Sequence, residues 1–231
     1  MRFVFLPGMD GTGFLFEPIL RLWTESTPPI VVSYPSDRVL GYEQLQSYVV
    51  SLLPVTEPYI LIAESYSGPI VARIAATQPP MLRGLVLSAT FVRKPRGWIG
   101  DWSRMLIGSY LFRQTWTQVI AKAILGWQGL NEEQIKLIVG ALEHVRPRVL
   151  AARLKEALDV EAFEDLRNCR VPVLCLYAER DLVLADRCHE LIGQANPRVK
   201  LVGLDTPHFL LQAKPAEALH EIQAFVRSLA Q

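Results

Sequence analysis

A serine stands where a buried strand is predicted to run directly into a helix. In the segment 59–68 (YILIAESYSG), Ser65 has a small residue two positions before it (Ala63) and two more after it (Ser67 and Gly68). This spacing fits a sharp strand–turn–helix corner that projects the Ser65 hydroxyl above the sheet. Serine is also a favoured N-cap, so this motif alone is equally compatible with a helix cap.

A serine hydroxyl becomes a nucleophile only beside a base, and that base needs an orienting group. The chain has four histidines, of which His208 follows the last predicted strand, whereas the others (His144, His189 and His220) fall in predicted helices. The carboxyl ends of parallel strands form the crevice where α/β proteins bind ligands. His208 is therefore the candidate base.

An acidic residue has a similar location. Asp181 follows the predicted strand 173–177 and lies deeper in its turn than Glu179, which is expected to face solvent. Serine, aspartate and histidine thus occur in the chain order of nucleophile-elbow enzymes, each directly after a strand. Ser65, Asp181 and His208 are accordingly predicted to form a catalytic triad.

The first predicted strand ends in a glycine-rich turn, Gly8-Met9-Asp10-Gly11-Thr12-Gly13. The backbone N–H groups of Met9 and Tyr66 are the candidate donors to the oxyanion of a tetrahedral intermediate. The glycine spacing differs from that of a dinucleotide-binding loop, and no lysine follows it as in a P-loop. The sequence also lacks an HExxH motif and a cysteine cluster, so we expect no nucleotide, metal ion or other cofactor.

Six short apolar runs bounded by turn formers are predicted strands, and most are continuously apolar, as in strands covered on both faces. They span residues 3–6, 30–34, 59–63, 85–88, 173–177 and 199–204. Helical patterns alternate with them at residues 42–53, 69–77, 185–194 and 215–229. This alternation predicts a mostly parallel sheet in an α/β fold.

One connection is much longer than the others. Residues 90–170 show helical periodicity and no credible strand, and a connection of this length is more typical of a cap over a site than of a loop. We therefore expect a core formed by residues 1–90 and 168–231, with residues 91–167 inserted as a helical cap, or lid.

Composition restricts the class of protein. The 231 residues are 50% hydrophobic and 20% charged, with 24 basic and 23 acidic side chains, which favours a large core and excludes a nucleic-acid-coating protein. Three cysteines without a CxxC pair argue against a disulfide framework and favour a reducing compartment. The first apolar run is too short for a signal peptide, and no run approaches the roughly 18 residues of a membrane span. A cytoplasmic location without membrane insertion is expected.

These motifs together resemble the α/β-hydrolase superfamily over essentially the whole chain. The resemblance rests on LPGMDGTG (6–13), AESYSG (63–68), YAERD (177–181) and PHFLL (207–211), although Ala63 and Ser67 replace the usual elbow glycines. It implies a three-layer fold with a six-stranded, all-parallel sheet that lacks the family's N-terminal hairpin, plus a helical cap. The chain is most similar to small carboxylesterases, including the biotin-pathway esterases that demethylate pimeloyl-carrier protein.

The expected activity is hydrolysis of carboxylic esters, or thioesters, through an acyl-enzyme. The resemblance makes Ser65 the nucleophile, His208 the general base and acid, and Asp181 its orienting partner. An acyltransferase with the same triad and a non-catalytic ligand-binding protein stay open as alternatives. Without the hairpin one sheet edge is less protected, so the chain is expected as a monomer or a homodimer.

The expected cap is rich in positive charge. Residues 91–155 contain eleven basic and four acidic side chains. A solvated helical surface would explain this, but so would a docking face for an acidic acyl carrier protein, a CoA thioester or a lipid headgroup. Arg146, Arg148 and Arg153 are the candidate docking residues.

Overall fold

A computed structural model describes residues 1–95, 125–184 and 187–229 of the chain. Within them, six parallel strands form one sheet in the order β2-β1-β3-β4-β5-β6. The strands are β1 (Arg2–Leu6), β2 (Ile30–Val31), β3 (Tyr59–Glu64), β4 (Leu82–Ser88), β5 (Val173–Ala178) and β6 (Lys200–Leu204). The predicted six-stranded, all-parallel sheet is confirmed.

Nine α-helices lie entirely within the described parts of the chain. They are α1 (Glu17–Leu20), α2 (Tyr42–Val50), α3 (Gly68–Ala76), α4 (Glu132–Glu143), α5 (Pro147–Ala157), α6 (Phe163–Arg167), α7 (Cys188–Ala195), α8 (Leu210–Ala213) and α9 (Pro215–Ser228). Short 3-10 helices at Phe14–Phe16 and Ser65–Ser67 precede α1 and α3.

The sheet separates two hydrophobic cores, because successive side chains of a strand point to opposite faces. In β1, Val4 and Leu6 pack into the core that α2, α3, α6 and α7 cover. Phe3 and Phe5 pack into the core beneath α1, α8 and α9. Covering on both faces explains the continuously apolar strands and produces the three-layer architecture.

The described part of the long connection after β4 contains the helices α4, α5 and α6, joined by loops, and an isolated antiparallel bridge between Arg93 and Glu161. Helix α4 begins at a capping box, in which the Asn131 side chain accepts the N–H of Gln134 and the Gln134 side chain accepts the N–H of Asn131. Its apolar face packs against Leu15 through Ile138 and Ala141. Residues 96–124 of the expected cap lie outside the described residues.

Cys169, Cys175 and Cys188 are buried, and none of them forms a disulfide bond. Among the helices of the described residues, none has the length and apolar character needed to cross a bilayer.

Candidate active site

The chain makes a sharp corner between β3 and α3. Ser65, at the corner, has a φ of 47°, a left-handed conformation that a residue with a Cβ rarely adopts. Its carbonyl accepts a hydrogen bond from the Thr90 hydroxyl. A Cβ on Gly68 would lie 2.0 Å from that hydroxyl oxygen, so the close approach of Thr90 requires glycine at this position.

Ser67, which replaces a usual elbow glycine, joins the corner to the end of β1. Its buried hydroxyl donates to the carbonyl of Pro7. The Tyr34 hydroxyl lies 2.6 Å from Ser67 Oγ and must donate to it, because the Ser67 proton is already used. The β1 loop and the corner are therefore tied together through this serine.

The three residues predicted as a triad meet at the carboxyl ends of the strands. His208 Nε2 lies 2.9 Å from Ser65 Oγ, and His208 Nδ1 lies 2.7 Å from Asp181 Oδ2. The remaining oxygen, Asp181 Oδ1, accepts the N–H groups of Val183 and Leu184 at 2.8 Å each. The carboxylate is thus held on both sides and keeps one oxygen directed at the imidazole.

The local environment shifts the pKa of both partners. Burial works against ionisation of Asp181, but the His208 charge, the hydrogen bond to it and two backbone N–H groups hold the pKa of this carboxyl below its usual value. Burial alone would lower the pKa of His208, yet the charge and hydrogen bond of Asp181, helped by Glu64, raise it. The pair therefore favours a negative carboxylate beside an imidazole that accepts protons readily.

A cavity of about 360 Å³ opens beside Ser65. Polar groups from the ends of the strands (Ser65, His208, Glu64 and Asp10) lie at one side of it. The rest of the described lining is mainly apolar and includes Leu15, Phe91, Ile138, Leu142, Leu154 and Leu158. Since α4 and α5 supply several of these side chains, the connection between β4 and β5 forms one wall of the cavity.

Met9 and Tyr66, the predicted oxyanion donors, both line this cavity. Their loops lie close together, because a Cβ on Gly8 would be 3.7 Å from Ser65 Cβ. The Tyr66 carbonyl accepts the Tyr42 hydroxyl at 3.2 Å, and the two rings stack at 4.6 Å. The backbone that follows the serine is thereby held by a fully packed aromatic pair.

Glu64 is a buried carboxyl group that the sequence analysis did not single out. It is 3% exposed, and its Oε1 accepts a 3.0 Å hydrogen bond from Gln212 Nε2, which also donates to the Leu15 carbonyl. Its Oε2 has no hydrogen-bond partner among the described residues. Burial, partly opposed by the Gln212 hydrogen bond, raises the pKa of Glu64 to about 7.

Glu64→Gln should change how stability depends on pH. Because folding raises the pKa of Glu64 from about 4.5 to about 7, the folded state favours the protonated form. Stability contributed by that proton is complete below about pH 4.5 and is lost as the pH rises through 7. Glutamine cannot ionise and is spared this loss. The free energy of unfolding of the Glu64→Gln variant should therefore rise, relative to that of the wild type, by about 2 kcal/mol between pH 5 and pH 8.

Urea denaturation of both proteins across this pH range measures the effect, with Glu43→Gln at an exposed position as the control. A constant difference between wild type and Glu64→Gln from pH 5 to pH 8 would show that Glu64 does not titrate in this way.

The three predicted docking arginines have different locations. Arg146 and Arg148 are exposed at the beginning of α5, where Arg148 donates to the carbonyl of Asp37. Arg153 is 2% exposed, and its guanidinium donates to backbone carbonyls inside the protein. The expectation that Arg153 contributes to a docking surface is wrong, because its charge is turned toward the core.

The other histidines lie elsewhere in the fold. His144 ends α4 and meets the Phe14 ring edge to face, His189 stacks on Tyr177, and His220 is exposed on α9. No group of three His, Cys, Asp or Glu side chains in the described residues is arranged to hold a metal ion.

No protein-family model matches this chain, and no curated protein matches its sequence significantly. Solved structures do match its fold. A bromoperoxidase from Bacillus anthracis has a TM-score of 0.83 at 18% identity, covering 98% of this chain and 91% of that one. A thermophilic esterase from Thermogutta terrifontis has a TM-score of 0.81 at 17% identity, covering 100% of this chain and 91% of that one.

An enol-lactonase from Burkholderia xenovorans LB400 matches with a TM-score of 0.75 at 16% identity, covering 99% of this chain and 90% of that one. Identities this low establish shared architecture and do not carry over an activity. The chain therefore has the α/β-hydrolase fold, as the resemblance implied.

Proposed function

We propose that this chain is a serine hydrolase that cleaves carboxylic esters through an acyl-enzyme. The observation that carries the proposal is the continuous hydrogen-bonded series from Ser65 through His208 to Asp181 at the edge of an apolar cavity. A surface serine with an N-cap role would need neither the imidazole nor the doubly held carboxylate behind it.

In this mechanism, His208 Nε2 takes the hydroxyl proton as Ser65 Oγ attacks the acyl carbonyl carbon. Asp181 keeps the proton on His208 Nδ1 and stabilises the imidazolium that forms. The backbone N–H groups of Met9 and Tyr66 receive the oxyanion. His208 then donates its proton to the departing alcohol and later activates the water that releases the acid.

The cavity supports an apolar acyl group as the substrate moiety. Its walls are mainly aliphatic, whereas the polar atoms stay at the reacting end beside Ser65. Burial of an alkyl chain there would stabilise the complex by roughly 0.8 kcal/mol per methylene group. We propose further that residues 91–167 act as the lid of this cavity, since α4 and α5 close one side of it, and that thioesters fit the same site.

The proposal is tested by combining turnover with covalent labelling. The purified protein should hydrolyse p-nitrophenyl butyrate, and a fluorophosphonate should abolish turnover while modifying the peptide that contains Ser65. Ser65→Ala is the control that must not be labelled. Labelling absent under conditions that label a known serine esterase would contradict the mechanism and favour a ligand-binding protein.

A finer proposal concerns how the acyl group arrives. We propose delivery by an acidic acyl carrier protein in the cytoplasm, as for the pimeloyl-carrier esterases that the sequence resembles. Arg146 and Arg148 support it, because they are exposed at the beginning of α5, the helix whose Leu154 and Ala157 line the cavity. Opposite charges at such a site accelerate and orient docking.

The double variant Arg146→Glu/Arg148→Glu should lower kcat/KM for methyl pimeloyl-carrier protein by about 10-fold or more. For p-nitrophenyl butyrate, which needs no docking, kcat/KM should stay within about twofold. The matched control reverses the exposed Arg170, which precedes β5, and the exposed Arg227, in the last turn of α9. Equal effects on both substrates, or none, would remove the docking proposal.

A further inference from the structure

The buried guanidinium of Arg153 binds the loop that follows β1. Arg153 lies in α5, within the inserted segment, and reaches a loop more than 140 residues earlier in the chain. Its Nη1 donates to the carbonyls of Met9 at 2.9 Å and Asp10 at 2.8 Å, and its Nη2 donates to the carbonyl of Pro35 at 3.0 Å. Three backbone carbonyls thus accept hydrogen bonds from one charged group.

This arrangement differs from an ordinary buried ion pair. The hydrogen bonds described for the guanidinium go to backbone carbonyls, and it sits 5.6 Å from the centre of the Tyr34 ring, while the charge of the Asp10 carboxylate also favours its ionised form. Burial lowers the pKa of Arg153, because removal from water disfavours the charged form of the guanidinium. A buried charge is stable only if it is hydrogen-bonded. The guanidinium therefore favours the orientation in which the three carbonyls point toward it.

Two of the three bound carbonyls, those of Met9 and Asp10, belong to the loop that carries the proposed oxyanion donor. The Gly8 carbonyl accepts the N–H of Gly11 at 3.0 Å. Because a peptide unit is planar, this bond also sets the direction of the Met9 N–H, which belongs to the same unit. Arg153 holds the next two units through their carbonyls, so three successive peptide planes are fixed.

Packing leaves the loop little freedom to turn away from Arg153. Gly11 has a φ of 71°, and a Cβ there would lie 2.4 Å from Arg153 Nη1. Asp10 Oδ2 accepts both the N–H and the hydroxyl of Thr12, which closes the turn on its other side. The guanidinium therefore packs flat against the turn at a point where only glycine fits.

We propose that Arg153 is a positioning residue that orients the Met9 N–H toward the oxyanion and couples this orientation to the seating of α5. The inference rests on the proposed serine-hydrolase function. An N–H group stabilises the transition state only where it meets the developing charge, and a displacement of about 1 Å can reduce the rate about 100-fold. Arg153 touches neither the substrate nor the reacting atoms in this role.

The test compares Arg153→Lys and Arg153→Met with the exposed Lys155→Met on the same helix. With p-nitrophenyl butyrate, kcat should fall about 10- to 100-fold in both Arg153 variants, while KM stays within about threefold. The inhibition constant of an alkyl trifluoromethyl ketone, which forms an oxyanion on the serine, should rise by the same factor. Lys155→Met should leave both quantities at their wild-type values.

Circular dichroism and thermal unfolding show whether each variant is folded. In the event that Arg153→Met does not fold, the test rests on Arg153→Lys alone. Unchanged kcat in a folded Arg153→Lys protein, or a loss of kcat without weaker ketone binding, would overturn the role of Arg153. Ser65→Ala in the same series separates the two proposals. If it is inactive while the Arg153 variants are fully active, only this inference fails, whereas an active Ser65→Ala removes the serine mechanism itself.

Discussion

Ser65→Ala should reduce kcat for p-nitrophenyl butyrate by about 10⁶-fold, the scale of loss found when a triad serine is removed. The reason is that His208 Nε2, 2.9 Å from Ser65 Oγ, would then face a methyl group and have no nucleophile to deprotonate. Steady-state turnover of the purified variant, with the wild type diluted to the same rate, measures the effect. The fold should persist, because the side-chain hydroxyl makes its hydrogen bond only to the imidazole among the contacts described for it.

Ser47→Ala is the matched control, since Ser47 is exposed on α2 and its hydroxyl bonds only within that helix. It should retain wild-type turnover. If Ser65→Ala kept more than about a hundredth of the wild-type kcat, the acyl-enzyme mechanism would be wrong and the ester would have to be attacked by another group.

The sheet could be predicted because its signals are local. Each strand is a short apolar run with a turn former beside it, and covering by helices on both faces removes the alternation that a half-exposed strand would show. Strand β2 is shorter than its apolar run, with ladder pairing only at Ile30–Val31. Beyond it the Tyr34 N–H bonds to Gly11 of the glycine-rich loop, so the chain there joins the site instead of extending the sheet edge.

Helix α7 shows a second limit of local patterns. Its apolar periodicity begins at residue 185, but the helix begins at Cys188, because Arg187 has a φ of 50° and cannot continue a right-handed helix. Residues 185 and 186 lie outside the described residues. The periodicity therefore identified the element, whereas its first residue is set by the left-handed conformation of Arg187.

The members of the predicted triad could be selected because topology constrains where strand ends meet. Ser65 and His208 are 143 residues apart in sequence, yet both follow parallel strands of one sheet. The distances between them depend on the turns that follow each strand. No local signal gives these distances, since they arise from contacts such as the two backbone N–H groups that hold Asp181.

Glu64 was missed and Arg153 was assigned the wrong role, for different reasons. Glu64 ends a strand that is buried along its whole length, and this position was a usable signal for a buried carboxyl group. Arg153 offered no such signal, because its helix is amphipathic with charged residues on both sides of it in sequence. Its partners, Met9 and Pro35, lie 144 and 118 residues away. Only the packing of α5 on the loop shows that this charge faces inward.

Asp181→Asn should lower kcat by about 10⁴-fold while leaving the shape of the site intact. The size of the effect follows from the hydrogen bonds around the carboxylate. Oδ1 accepts the N–H groups of Val183 and Leu184, so an asparagine must keep its oxygen there and place its NH₂ group toward His208 Nδ1. Nδ1 would then become the acceptor, the ring proton would move to Nε2, and Ser65 would face a donor instead of a base.

The pH profile distinguishes this tautomer effect from simple loss of structure. In the wild type, Asp181 raises the pKa of His208, and activity is lost as the pH falls through that pKa because the imidazole becomes protonated. Without the carboxylate the pKa of His208 falls, so the acidic limb of kcat/KM should move to lower pH even as the plateau drops. Asp205→Asn, at an exposed ion pair with Arg180, should change neither the plateau nor the limb. An Asp181→Asn protein whose plateau drops but whose acidic limb stays in place would show that Asp181 does not act through the charge of His208.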